Sequence, residues 1–336
     1  MDERDATATL MRLVNGYQVT QAIHVAAVLG VPDLLAHGPR ESDELAEECD
    51  ADPGSLYRLL RALASVGVLE EQEDRRFTLT PVGERLRSDV SGSLDGWARF
   101  VGRPSIWNAW AALEHSIRTG ENAFAHVHGT DVWSWRAARP DESEIFDGAM
   151  QARTGATNRA LLEAYDFSRF GVVVDVGGGN GTLLAAVLAE HPGLRGILFD
   201  QSHVTALAPT VLEDAGVADR CEVRSGDFFA AVPEGGDAYV LKSIIHDWED
   251  KEALAILRNV RVATPGGGRL LLLERELGAP NADPATKFTD LLMLVGPGGR
   301  ERSRDEYERL LANAGFRLVE VTPTSAELIV FEGVPV

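Results

Sequence analysis

Val172-Val-Val-Asp-Val-Gly-Gly-Gly-Asn-Gly-Thr-Leu-Leu184 reads as a buried strand that runs into a glycine loop and then opens a helix. A run of β-branched apolar residues suits a parallel strand covered on both faces. Gly177, Gly178, Gly179 and Gly181 let the backbone turn sharply and approach a ligand closely. The arrangement predicts a nucleotide-like ligand on the loop; a glycine-rich turn with no ligand is the plain alternative.

Spacing narrows the ligand. A dinucleotide fingerprint needs a third glycine three residues after the second, and counting from Gly177 and Gly179 that position is Thr182; the glycine comes one residue early, at Gly181. Asp175, just before the loop, would repel a pyrophosphate and suits an ammonium-bearing ligand better. S-adenosylmethionine (SAM) carries an amino acid end, a ribose and an adenine, and no phosphate.

Around this segment the chain alternates strands and helices, the pattern of a mostly parallel sheet. The strands are Val172–Val176, Gly196–Asp200, Cys221–Arg224, Ala238–Leu241 and Leu270–Leu273. Two more, Phe316–Val321 and Glu327–Phe331, are joined by a link too short for a parallel crossover, so the last must be antiparallel. The expectation is an α/β domain over 166–336 with a seven-stranded, Rossmann-like sheet ending in a hairpin. That hairpin argues against a plain dinucleotide-binding sheet and so against a dehydrogenase.

Ahead of it, apolar residues recur at helical spacing from Leu10 to Leu35, which predicts one long helix and a short one. Ser42 is placed to cap the next helix, and Asp52-Pro-Gly-Ser starts another that runs through Tyr57, Leu60 and Leu63 to Gly67. Val68-Leu69 and Phe77-Thr-Leu-Thr form a small hairpin. Residues 1–95 thus read as a mainly α winged-helix domain, and 96–165, rich in tryptophan, as a helical linker lining an acceptor pocket.

Charge decides what the winged helix does. Residues 1–100 hold 18 Asp and Glu against 10 Arg and no Lys, and the whole chain carries −20. Nucleic-acid binding rests on basic surface, so a DNA-binding regulator is disfavoured and a dimerising or lid-forming helper domain preferred. Two cysteines, Cys49 and Cys221, exclude a disulfide framework or zinc site. No apolar run approaches the roughly 20 residues that span a bilayer, and the first residues lack signal-peptide character; a cytoplasmic protein is expected. Lysine is scarce, only Lys242, Lys251 and Lys287, which makes one on a buried strand conspicuous.

Ligands of open α/β sheets bind beyond the carboxyl ends of the strands. Asp200 ends the second strand, where its carboxylate can accept from ribose hydroxyls. Asp227 can accept from an adenine amino group, with Phe228 packing on the ring, and Lys242 falls near the adenosine. His246 follows at the mouth of the sheet, with a resting pKa suited to a general base. Glu274 and Glu301 are candidates to orient it.

Taken together, Asp-Val-Gly-Gly-Gly-Asn-Gly, Gly-Asp-Phe-Phe, Leu-Lys-Ser-Ile-Ile-His-Asp-Trp, Asp290-Leu-Leu-Met-Leu and Gly298-Gly-Arg-Glu-Arg-Ser resemble the SAM-dependent O-methyltransferases with a dimerising winged-helix domain. That branch includes caffeate and flavonoid methyltransferases of plants and bacterial polyketide-tailoring enzymes. The resemblance covers nearly the whole chain. It implies Gly177, Gly179, Asp200, Asp227, Phe228 and Lys242 as SAM contacts, S-adenosylhomocysteine as product and no metal. It further implies His246 as base, Glu274 and Glu301 as flanking acids, Met150 and Met293 in the acceptor pocket, a homodimer, and a hydroxylated aromatic small-molecule acceptor in secondary metabolism. A relative acting on nitrogen or carbon, or using SAM for another reaction, is the alternative.

Overall fold

The structure, a computed structural model, describes residues 3–336. Contacts divide the chain into two compact units, Met1–Asn108 with Ala138–Gly155, and Ala109–Ala137 with Ala156–Val336. The expected linker, 96–165, is shared out between them.

In the first unit the helices Glu3–Val14 and Gly16–Val28 stand where a single long helix was expected. The break falls at Asn15-Gly16, and glycine is among the weakest helix formers. Ser42, expected as a cap, is instead the first helical residue of Ser42–Glu48, with Glu41 in the capping position. Asp52 does cap Pro53–Ser65, its Oδ1 accepting from Ser55 N at 2.8 Å. β1 (Arg40–Glu41), β2 (Leu69–Glu71) and β3 (Arg76–Leu79) pair antiparallel in the order β1-β3-β2. Leu45, Leu60, Leu63 and Phe77 fill the core under this wing. Leu10, Met11, Leu13 and Val14 of the first helix are exposed.

The second unit is built on seven strands: β4 (Val172–Val176), β5 (Arg195–Asp200), β6 (Cys221–Ser225), β7 (Ala238–Lys242), β8 (Arg269–Glu274), β9 (Phe316–Pro323) and β10 (Ile329–Pro335). Their order is β6-β5-β4-β7-β8-β10-β9, and β10 runs antiparallel to both β8 and β9. β10 starts two residues later than expected. Thr324 closes the turn, donating its hydroxyl to Leu328 O at 2.7 Å and accepting from Ala326 N, so Glu327 belongs to the turn.

Alternate residues of the central strands feed two cores. Val174, Val176, Tyr239, Leu241, Leu270 and Leu272 face one way; Val173, Ala238, Val240, Leu271 and Leu273 face the other. This double burial is why the strands read as unbroken apolar runs. β4 pairs in parallel with β5 on one side and β7 on the other. The crevice beyond the ends of β4 and β7 is therefore the topological switch point, where such sheets bind ligands.

Candidate active site

The glycine loop leaves β4 in left-handed conformations that only glycine adopts cheaply, φ 72° at Gly177, 63° at Gly179 and 83° at Gly181. A Cβ on Gly177 would also lie 2.6 Å from Ile244 Cδ1, so the loop packs directly on the segment after β7. Asp200, at the end of β5, accepts from Gly179 N through Oδ2 at 2.9 Å and from Gln201 N through Oδ1 at 2.7 Å. Burial raises its pKa, against the pull of those two bonds. Beneath the loop Asp175 is buried and its Oδ2 has no hydrogen-bond partner. Burial pushes its pKa up to about 7 although Lys242 opposes the shift.

Lys242 lies on the same face of β7 as Val240, the register partner of Asp175. Its ammonium donates to Asn158 Oδ1 at 3.0 Å, and burial lowers its pKa to about 8. Asn158 Nδ2 in turn donates to Thr182 O at 3.4 Å, in the first turn of the helix that the loop opens. Asp227 is exposed after β6, with Oδ1 accepting from Phe229 N at 2.8 Å. Phe228 meets Phe229 and Trp248 edge-on, and Trp248 stacks with Trp133 at 6.2 Å. The residues fit the cofactor. Two carboxylates flank a loop whose backbone is open at Gly179, a set of acceptors suited to an ammonium and ribose hydroxyls and hostile to a pyrophosphate.

On the other side of the β7 end, a turn of 3₁₀ helix over Ile245–Asp247 carries His246. The chain enters it through Ser243, left-handed at φ 54°, a conformation strained for a residue with a side chain. Glu274, the last residue of β8, holds the turn from below. Its Oε1 accepts from Ile244 N at 3.1 Å and Ile245 N at 2.7 Å. His246 Nδ1 lies 2.9 Å from Glu301 Oε1 and 3.7 Å from Glu274 Oε2, while Nε2 lies 3.6 Å from Asp247 Oδ1. All four side chains are buried or nearly so.

Burial alone would lower the His246 pKa, but Glu274, Asp247 and Glu301 outweigh it and raise it to about 9. The acids shift in the same direction for a different reason. Burial pushes Glu274 up to about 7 and Asp247 to about 6, against the favourable field of the imidazole. Glu301 reaches the site from a strap, Gly299–Arg302. Its backbone N donates to Asp290 Oδ1 at 2.8 Å, and Arg300 N donates to His246 O at 2.8 Å. Gly299 has no room for a side chain, since a Cβ would sit 2.1 Å from His246 O.

The structure thus brings His246, Glu274 and Glu301 together, and sets Gly177, Gly179 and Asp200 around one loop. Met293 is buried on the helix Pro284–Val295 in the same unit. Met150, half-buried on the helix Pro140–Ala164, falls in the first unit. Sequence reading passed over three residues of the site. Asp247 directly follows His246, Asp290 begins Asp290-Leu-Leu-Met-Leu, and Asn158 carries no signal short of its position one turn before the buried Leu161.

A seven-stranded sheet with an antiparallel terminal hairpin, a phosphate-averse glycine loop at the switch point and a caged histidine beside it defines a SAM-dependent methyltransferase. Residues 110–317 match the O-methyltransferase domain, and residues 11–89 the O-methyltransferase dimerisation domain. The chain belongs to this family of SAM-dependent O-methyltransferases. O-demethylpuromycin-O-methyltransferase of Streptomyces alboniger is 46% identical over 321 residues, 94% of this chain and 85% of that one. Phenazine O-methyltransferase PhzM of Lysobacter antibioticus is 41% identical over 98% of this chain and 96% of its own. Among solved structures, an O-methyltransferase from neocarzinostatin biosynthesis, NcsB1, in complex with SAM and 2-hydroxy-5-methyl naphthoic acid, superposes with a TM-score of 0.82 at 35% identity. It covers 95% of this chain and 96% of that one.

Proposed function

We propose that this enzyme methylates a hydroxyl of an aromatic, phenolic or polyketide-like small molecule in secondary metabolism, as a cytoplasmic homodimer, with His246 as general base. The observation that carries the reading is the 2.9 Å contact of His246 Nδ1 with Glu301 inside a buried cage of carboxylates. The naphthoic acid held by the neocarzinostatin relative supports an aromatic acceptor. In this reading Gly177, Gly179, Asp200, Asp227, Phe228 and Lys242 hold SAM, and Met293 contributes to the acceptor pocket.

Bound SAM supplies a methyl group on a sulfonium. The protein's part is to hold the acceptor in line and manage its proton. With Nδ1–H donating to Glu301, the neutral imidazole presents the Nε2 lone pair to the acceptor hydroxyl. Glu274 and Glu301 then stabilise the imidazolium. An ordinary imidazole near 6.5 facing a phenol near 10 would make the transfer uphill by roughly 5 kcal/mol. Raising the base to about 9 reduces that to roughly 1–2 kcal/mol.

His246→Ala and His246→Gln test the assignment, assayed with labelled SAM against a panel of phenols, anthraquinones and hydroxy acids. Turnover should fall roughly 10²- to 10⁴-fold while calorimetric SAM affinity holds. A variant that keeps full turnover on a verified acceptor would remove His246 from the chemistry.

A further inference from the structure

Arg302 heads the fully buried side chains by size, with 1% exposure of its side chain. A guanidinium taken out of water is costly unless its five N–H groups find partners. Here they do. Nε and Nη2 reach Asp250 Oδ1 at 2.9 and 2.8 Å, Nη2 donates to Trp248 O at 2.8 Å, and Nη1 to Ile245 O at 3.0 Å and Arg300 O at 3.3 Å. Ile245 and Trp248 bracket His246 and Asp247. One planar group therefore ties both ends of the histidine turn to each other, to the strap that carries Glu301, and to the first residue of the helix Asp250–Ala263.

The ties around this clamp are directional. Arg300 N holds His246 O from the strap, and Glu274 Oε1 holds Ile244 N and Ile245 N from β8. With the backbone of the turn fixed on both sides, the imidazole is aimed by its main chain as well as by its carboxylate partners. Charge alone does not account for an arginine at this place, because its partner Asp250 is 68% exposed and could pair with any cation. What the site uses is the fork, which reaches three carbonyls and a carboxylate at once; a lysine offers the same charge from a single point.

We propose that Arg302 is a positioning residue for the transfer: by clamping Ile245 O and Trp248 O it sets the orientation in which His246 meets Glu301 and presents Nε2 to the acceptor. The inference rests on the reading of His246 as the base.

The test is a double-mutant cycle with Arg302→Lys and Asp250→Asn, each made in the wild-type and His246→Ala enzymes. In the wild-type background Arg302→Lys lowers kcat about 10- to 100-fold, the scale of a small misplacement of reacting groups. SAM affinity by calorimetry stays unchanged, and the acid limb of the pH profile moves to lower pH as the Glu301 contact loosens. In the His246→Ala background the same change costs nothing further, because groups that act as a unit are not additive. Equal losses in both backgrounds, or SAM binding that falls in step with turnover, would overturn the proposal. If Arg302→Lys fails to fold, Asp250→Asn decides. It strips the clamp of its carboxylate and should give a smaller loss confined to the enzyme that keeps His246; no loss, or the same loss in both, overturns the idea. A fully active His246→Ala enzyme would instead bring down the base assignment, an outcome visible before either clamp variant is assayed.

Discussion

The His246 imidazole is buried among three carboxylates that raise its pKa to about 9. That shift makes it a better match for a phenol and leaves only about one per cent neutral at pH 7. Since only the neutral form accepts a proton, kcat/KM should climb with pH and level off near pH 9. Glu301→Gln removes one of the raising charges, so its acid limb should move to lower pH while its plateau rate drops; a pH–rate series on both proteins checks this. An unmoved limb would exclude Glu301 from the electrostatics of the base. Stability carries the same signature with its own sign. A pKa raised on folding stabilises the native state below the ordinary value of about 6.5, and the contribution is lost as pH climbs through about 9. The cage was legible in part, because His246 and Glu274 stand at strand ends where ligands bind and Glu301 in a glycine-led loop. Arg302 and Asp247 were not, since nothing in their spacing separates a buried, multiply bonded charge from an ordinary exposed one.

Between elements, one asparagine joins two helices. Asn122 caps Ala123–His128, its Oδ1 accepting from Ala125 N at 2.7 Å, and its Nδ2 donates to Leu294 O at 2.8 Å and Gly296 O at 2.9 Å. Those carbonyls end the helix Pro284–Val295, which carries Met293 and the Asp290 that holds Glu301 N. Asn122→Ala removes a cap and two hydrogen bonds, a loss of roughly 2–3 kcal/mol. Differential scanning calorimetry should show a lower Tm, and kinetics a larger rise in KM for the acceptor than for SAM. Equal rises would detach the helix from acceptor binding. Local pattern could not reveal this tie, because its two halves lie more than 150 residues apart. The strands of the sheet were readable for the opposite reason, as burial on both faces writes itself into consecutive residues. The break at Asn15-Gly16 and the start of β10 depend on single backbone choices, and apolar periodicity does not encode them.

At the scale of the whole chain, the winged-helix unit was legible from its order of helices, turn and hairpin, and its charge of −8 over residues 1–100 turned it away from nucleic acid. Its first helix shows Leu10 61% and Leu13 66% exposed, and apolar faces of this kind mark interaction surfaces. A Leu10→Glu/Leu13→Glu variant should shift the light-scattering mass toward that of one chain, with the circular dichroism of the fold retained; a persisting dimer would place the interface elsewhere. How the segments 109–137 and 138–155 are apportioned was not legible, for it depends on contacts such as that of Asn122 with Leu294. The scarcity of lysine has a practical side. The chain has no lysine before residue 242; Lys242 is buried and bonded to Asn158, and Lys287 donates to Ala279 O. That leaves Lys251, its side chain 92% exposed and its ammonium 3.6 Å from Glu252 Oε1, as the most open lysine among the described residues. An amine-reactive dye should therefore take Lys251, beside Asp250, ahead of the other two lysines, with the chain's α-amine as the competing site.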